Sequence, residues 1–303
     1  MATIFCVGHA VQDFVFSVGA MPDAALKYRA SAFQSVGGGP ASTAAVAISR
    51  LDGTALLAAR IGDDSIAEVT LGELESYGVD CTHVRRFANC TSSLSAVIVD
   101  DAGERLIVNY LDPAMESSDE WLPRQLPSDV DAVLVDTRWP EGALHGLRLA
   151  QTAGLPGVLD ADLPVPKDGE LVRAATHVAF SAAGLSEYSG NPDPKRALQT
   201  VTESTDAWCC VTLGAEGTLY LEDGESCVIP AYEVEVHDTL GAGDVWHGAF
   251  ALALGEGQST IRALHFASAA AALKVANGGG RLGAPLRQYV EVFLRQHGRE
   301  GQS

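Results

Sequence analysis

The sequence predicts an α/β fold built on a mostly parallel sheet with helices on both faces. Three observations predict it. Short apolar runs, the mark of strands covered on both faces, alternate with helix-like segments along most of the 303 residues. Glycine-rich stretches stand where several of these runs pass into helices. Two stretches that break the alternation predict a second, smaller sheet.

Taken in order, Ile4–Val7 is a short buried strand, and Asp13–Val36 lacks helical periodicity. Pro40–Leu51 is an Ala-rich helix with Pro at its start, where the missing N–H costs nothing. Leu56–Ile61 is a strand, and Ile66–Tyr77 a helix ended by Gly78. Ser92–Asp100 and Arg105–Tyr110 form a hairpin around Asp101–Glu104. Ala132–Asp136, Gly157–Asp160, His177–Phe180 and Trp208–Thr212 are buried strands, separated by helices near Ala143–Ala153 and Pro194–Glu203. The last third is mostly helical, over Gly243–Leu254, Thr260–Ala276 and Leu286–His297. No linker, repeat or low-complexity segment divides the chain, so residues 1–303 are expected to form one domain. The insertions at about 13–36 and about 90–112 then form a lid. A lid over the carboxyl ends of a parallel sheet excludes water from a reaction.

The net charge of −19 excludes nucleic acid and anionic membranes as main partners, because both need basic patches. The opening MATIFCVGHAVQDF lacks the basic and apolar regions of a signal peptide. No stretch approaches the roughly 20 apolar residues of a membrane span. Six scattered cysteines have no zinc-like spacing, so reduced thiols and a cytoplasmic location are expected.

Gly241-Ala242-Gly243 leaves backbone N–H groups unobstructed at a helix start. Orphan donors and the helix dipole make such a place an anion site. Asp244 follows in the first turn. An acid there suits a base that takes a proton from a hydroxyl attacking a bound phosphoryl group. It equally suits an acid that only favours the dipole. Gly37-Gly38-Gly39-Pro40 also leads into a helix and could let a ligand approach the backbone. Val211–Gly217 follows a strand and could receive nucleotide phosphates. No Walker-type motif is present, which excludes a P-loop enzyme. A side chain at Gly243 is expected to harm turnover more than one at Gly248.

Asp238-Thr239-Leu240-Gly241-Ala242-Gly243-Asp244, with Gly248-Ala249-Phe250, resembles the C-terminal signature of the ribokinase-like carbohydrate kinases, the PfkB family. Gly37–Ala41 and Ala55–Asp63 resemble its N-terminal signature, and Val7-Gly8 with Asp13 its opening strand. The resemblance covers nearly the whole chain. It implies the ribokinase-like three-layer sandwich, with a mostly parallel central sheet and a small β-sheet lid. It also implies a kinase using ATP and Mg2+. Asp244 is then the general base, and Gly241, Ala242 and Gly243 the anion hole. Asp13 and the Gly38-Gly39 backbone hold sugar hydroxyls. Thr212, Gly214 and Gly217 line the nucleotide site, with Asn277 near the adenine. Asp238 lies in a loop that helps hold a monovalent cation, K+. The family's Asn-x-x-Glu, which organises magnesium-bound water, is replaced here by Ser181-Ala182-Ala183-Gly184.

Gly37–Ala45, Glu73–Val79, Gly103–Tyr110, Val135–Trp139 and Phe180–Leu185 further resemble the bacterial sulfofructose kinases, which also lack Asn-x-x-Glu. That resemblance implies transfer to the 1-hydroxyl of 6-deoxy-6-sulfofructose, in sulfoquinovose catabolism, with Lys27, Asn109 and Arg138 on the sulfonate. Fructose 6-phosphate, tagatose 6-phosphate, 2-keto-3-deoxygluconate and ribose are alternative acceptors. A non-catalytic sugar or nucleotide sensor is the alternative of another class. The exposed edge and face of a projecting half-sheet predict a homodimer through the lid.

Overall fold

The computed structural model describes residues 1–298; residues 299–303 of the expected 1–303 unit lie outside the described residues. The elements are, in chain order, β1 (Thr3–Gly8), β2 (Val11–Ser17), β3 (Ala32–Gly38), α1 (Pro40–Arg50), β4 (Thr54–Gly62), α2 (Ser65–Ser76) and β5 (Asp80–Phe87). They continue with β6 (Leu94–Val99), β7 (Arg105–Tyr110), β8 (Val130–Asp136), α3 (Pro140–Ala153), β9 (Gly157–Ala161), α4 (Glu170–Ala174), β10 (His177–Ser181), α5 (Ala182–Ser189) and α6 (Pro194–Thr202). The last are β11 (Trp208–Thr212), β12 (Thr218–Glu222), β13 (Glu225–Ile229), α7 (Ala242–Gly255), α8 (Thr260–Asn277) and α9 (Arg287–Gln296).

Nine strands form the large sheet in the order β13-β12-β11-β10-β9-β8-β1-β4-β5. The pairs from β11 through β5 are parallel, and β12 and β13 add an antiparallel hairpin at one edge. Chain order reverses at β1, which lies between β4 and β8. Such a reversal opens a crevice at the strand's carboxyl end. Side chains alternate across the sheet. Ile4 and Cys6 of β1 enter the core with α1, α7 and α8, while Phe5 and Val7 enter the one beneath α3 and α6.

α1 and α7 pack closely because their facing residues are small. A Cβ at Gly248 would come within 2.6 Å of the Ala44 carbonyl oxygen. Gly248 therefore supports helix packing, and a side chain there would act on stability as well as on turnover.

The expected lid is present as a four-stranded sheet in the order β3-β2-β6-β7. Its two faces differ. Asp13, Ser95 and Asn109 lie abreast on one face. The other face carries Phe14, Phe16, Phe33, Leu106, Val108 and Tyr110, with Phe14 and Phe33 stacked at 6.2 Å.

Three strands escaped the sequence reading. β5 is half exposed and mostly polar, DCTHVRRF, so it carries no apolar run. β12 and β13 close a tight turn at Asp223 and Gly224, both with positive φ, behind a glycine-rich stretch. Ser181–Gly184 lies at a helix start: Ser181 caps α5, accepting the Gly184 N–H at 2.9 Å.

Candidate active site

Gly241 takes a left-handed backbone, φ 76°, which glycine adopts without strain, and turns the chain into α7. Asp244 then stands on the first turn. Ala242 N–H is already bonded to the Thr239 carbonyl at 3.2 Å, so of the expected anion hole it is the member with a partner. A Cβ at Gly243 would meet nothing within 4 Å, so the backbone there faces open space.

Carboxylates crowd beneath this turn. Asp160, at the end of β9, is 4% exposed, and burial with the neighbouring Asp162 and Asp136 carboxylates pushes it well up. Dense surroundings, then Asp160, push Asp244 up to about 7. His247 lies one turn along α7. Its Nδ1 is 2.7 Å from the Gly243 carbonyl and 3.4 Å from Asp160 Oδ2, and its Nε2 is 3.2 Å from the Ala179 carbonyl. Burial pulls the imidazole below its ordinary value. A carboxyl that titrates near neutrality beside an open helix start can accept a proton at physiological pH.

On one side of this turn lies a cavity of about 550 Å³. Thr212, Gly214 and Gly217 line it, together with Thr239, Ala242 and Gly243. Gly214, Gly217 and the α7 start therefore share one hollow. Asn277 does not line it. Its amide donates to the Gly283 carbonyl at 3.0 Å, and its side chain faces a separate hollow beside α9.

On the other side lies the lid. Burial pushes the Asp13 carboxyl up, against the Ser95 hydroxyl and the Arg281 charge. A Cβ at Gly38 would overlap the Asp13 carboxylate, so only glycine there leaves Asp13 its place. Gly39, φ 96°, sits against the His9 backbone. Asn109 Nδ2 donates to Ser95 Oγ at 3.1 Å, Leu94 O at 3.2 Å and Ser93 Oγ at 3.3 Å. Ser93 Oγ also meets His9 Nε2 at 3.0 Å. Burial, then Arg138 and Arg60, holds His9 down to about 4, so its ring is neutral.

Arg138 follows β8 and is not free: its guanidinium bonds Asp162 at 3.3 Å. Lys27 is exposed in the loop between β2 and β3, with no ion pair among the described residues. The structure therefore brings Asp13, Asn109 and the glycines of 38–39 together.

The sequence reading missed four groups. Asp136 Oδ2 accepts the N–H groups of His9 at 2.8 Å and Ala41 at 3.0 Å, and Oδ1 that of Arg138 at 2.9 Å. It thus ties β8 to the end of β1 and the start of α1. Asp160 ends β9 in the same way. An acid closing a buried apolar run was the available signal for both. His247 stands inside the expected helix with no local signal. Arg281, 1% exposed, bonds Glu73 at 2.8 Å while Glu73 accepts the Gly37 N–H at 3.1 Å, joining the base of the lid to the segment after α8.

A family profile described as pfkB family carbohydrate kinase matches residues 1–287. A ribokinase of Bacillus subtilis is 26% identical over 301 residues, 97% of this chain and 100% of its own. The crystal structure of a candidate ribokinase from Agrobacterium tumefaciens superposes with a TM-score of 0.91, at 36% identity over 98% of both chains. The Arabidopsis thaliana ribokinase complexed with ribose and ATP has the same fold, with a TM-score of 0.83, at 23% identity over 97% of this chain and 98% of its own.

Proposed function

The chain belongs to the pfkB family of carbohydrate kinases, and we propose that it transfers the γ-phosphoryl group of ATP to the 1-hydroxyl of 6-deoxy-6-sulfofructose. One observation carries the kinase chemistry. Asp244, titrating near 7, stands at a helix start that opens on the 550 Å³ cavity, with a lid on its other side. Asp244 takes the hydroxyl proton as the sugar oxygen bonds to the γ-phosphorus. The bond to the bridging oxygen breaks, and ADP leaves with that electron pair. The turn of Gly241, Ala242 and Gly243 meets the charge that develops on the phosphoryl oxygens. Thr212, Gly214 and Gly217 hold the nucleotide, and Asp13 with Gly38 and Gly39 the sugar. Half-exposed Asp162 would face the hydration shell of a magnesium ion arriving with the nucleotide, which would supply positive charge against the phosphates.

Sulfofructose is favoured by the donors at the far end of the sugar. Asn109 shares the lid face with Asp13, and Arg138 follows β8 beside His9. The Arg138–Asp162 pair is exposed on both sides, 37% and 43%, and such pairs are weak. A sulfonate, with three acceptor oxygens and no proton, can displace Asp162 from the guanidinium fork. Lys27, exposed and without an ion pair among the described residues, is the third donor this reading assigns to the sulfonate.

Ribose is the second reading, because the Bacillus subtilis relative is a ribokinase. ADP release measured with sulfofructose, fructose 6-phosphate, fructose, ribose and 2-keto-3-deoxygluconate separates them. The highest kcat/KM with sulfofructose is expected. The highest with ribose overturns the sulfonate assignment, and no turnover with any sugar leaves a sensor. Arg138→Ala should then erode the preference for sulfofructose over fructose by about 10–150-fold, the worth of one charged hydrogen bond. We also assign the apolar lid face, with Phe33 at 55% and Val108 at 62% exposure, to a second copy of the chain. Sedimentation of Phe33→Asp as a monomer, and of the unaltered chain as a dimer, checks this.

A further inference from the structure

Asp238 begins the loop that leads into α7, and donors surround it. Lys274 of α8 has no exposed surface, and its Nζ donates to the Asp238 carbonyl at 2.9 Å and to Oδ2 at 3.1 Å. The Gly280 N–H reaches Oδ2 at 2.8 Å, and the Leu240 N–H reaches Oδ1 at 2.8 Å. Arg105 comes across from the lid to Oδ1 at 3.3 Å and also meets the Thr239 hydroxyl. Burial alone would raise the Asp238 carboxyl. The two N–H groups and Lys274 more than offset it, so the carboxyl lies below its ordinary value and stays ionised.

The resemblance implies a monovalent cation in this loop, and the residues present do not fit one. Asp238 is the residue the resemblance offers such an ion, and its oxygens would have to face it. The carbonyl and Oδ2 both already hold the Lys274 ammonium. An ion beside it would set a third positive charge, after Lys274 and Arg105, on one carboxylate.

We propose that the Lys274 ammonium is this chain's built-in monovalent cation. It carries one positive charge and three donors, and it grips both a carbonyl and a carboxylate of the loop. It anchors the Asp238 end of the segment whose other end presents Gly243 and Asp244. A tethered cation is always in place, so turnover needs no monovalent ion from the medium. Lys274 touches neither substrate and acts as a positioning residue.

This inference rests on the kinase reading, and the test separates the two. The purified protein is moved into tetramethylammonium chloride, and KCl replaces that salt at constant ionic strength. ADP release and melting temperature are both followed. The unaltered chain is expected to show no change in kcat and no potassium-specific rise in melting temperature. An ion that bound the folded state would raise it by mass action. Activation by KCl, or a melting shift specific to it, overturns the proposal. Lys274→Met, of similar length, should lower kcat by about 10²-fold through a misplaced loop. Lys274→Ala, which leaves a hole, should regain rate with KCl or methylammonium chloride. Full rate of Lys274→Met in tetramethylammonium also overturns the proposal. If the variants do not fold, the titration of the unaltered chain decides. If no sugar is phosphorylated in any salt, the kinase reading fails, and the melting titration still judges the cation.

Discussion

His247 Nδ1 lies 2.7 Å from the carbonyl oxygen of Gly243, one turn earlier on the same helix, and its Nε2 lies 3.2 Å from the Ala179 carbonyl. A neutral imidazole has one N–H, so this ring braces the first turn of α7 or β10 with a single hydrogen bond and packs against the other. His247→Leu keeps the volume and removes that brace. A net hydrogen bond is worth about 0.5–1.5 kcal/mol, so kcat should fall by about 2–13-fold. The KM for sugar should not move. An unchanged kcat in steady-state assays would show that the turn holds itself.

The pH profile tests Asp244. Its carboxyl is raised to about 7 by burial and by Asp160, and a base must be ionised to accept a proton. kcat/KM should therefore be high above pH 7 and fall about tenfold per unit below it. An acid limb near the ordinary carboxylate range would assign the proton transfer to another group.

Asp244→Asn keeps the shape and removes the proton acceptor. The expected loss in kcat is about 10²–10⁴-fold, with ATP and sugar affinities retained by calorimetry. Turnover close to that of the unaltered chain would take Asp244 out of the reaction.

Gly243→Ala and Gly248→Ala should fail in different ways. A Cβ at Gly243 enters open space, so the fold should keep its melting temperature while phosphate access, and with it kcat, suffers. A Cβ at Gly248 comes within 2.6 Å of the Ala44 carbonyl, and overpacking of this kind costs about 1–3 kcal/mol. Denaturation curves and kcat, measured on both variants, should split in this way. Equal melting temperatures would mean that α1 and α7 can part at no cost.

Gly38→Ala should push Asp13 aside, because the added Cβ overlaps its carboxylate. The KM for sugar should rise while the KM for ATP stays, since the nucleotide-side cavity lies elsewhere. A rise in both would point to a general disturbance of the lid.

Much of this molecule was legible in the chain because the signals are local. Apolar runs of about 5 residues mark buried strands wherever they occur. A left-handed turn needs glycine at the turn itself, so Gly241 announces the start of α7 and Asp244 follows by position. The second sheet was expected from its hairpin, and cross-strand register then set Asp13 beside Ser95 and Asn109. Tertiary structure decided the rest, because the partners lie far apart in sequence. Asp136 reaches Ala41 across 95 positions, and Arg281 reaches Glu73 across 208. Arg138 looked free to read an anion until the ends of β8 and β9 set Asp162 against it. Asp238 looked open to an ion until α8 returned Lys274 to the same oxygens. A charged side chain reads the same in sequence whether water or a buried partner surrounds it. Folding alone chooses the neighbour, and in a low-dielectric interior the neighbour sets the charge.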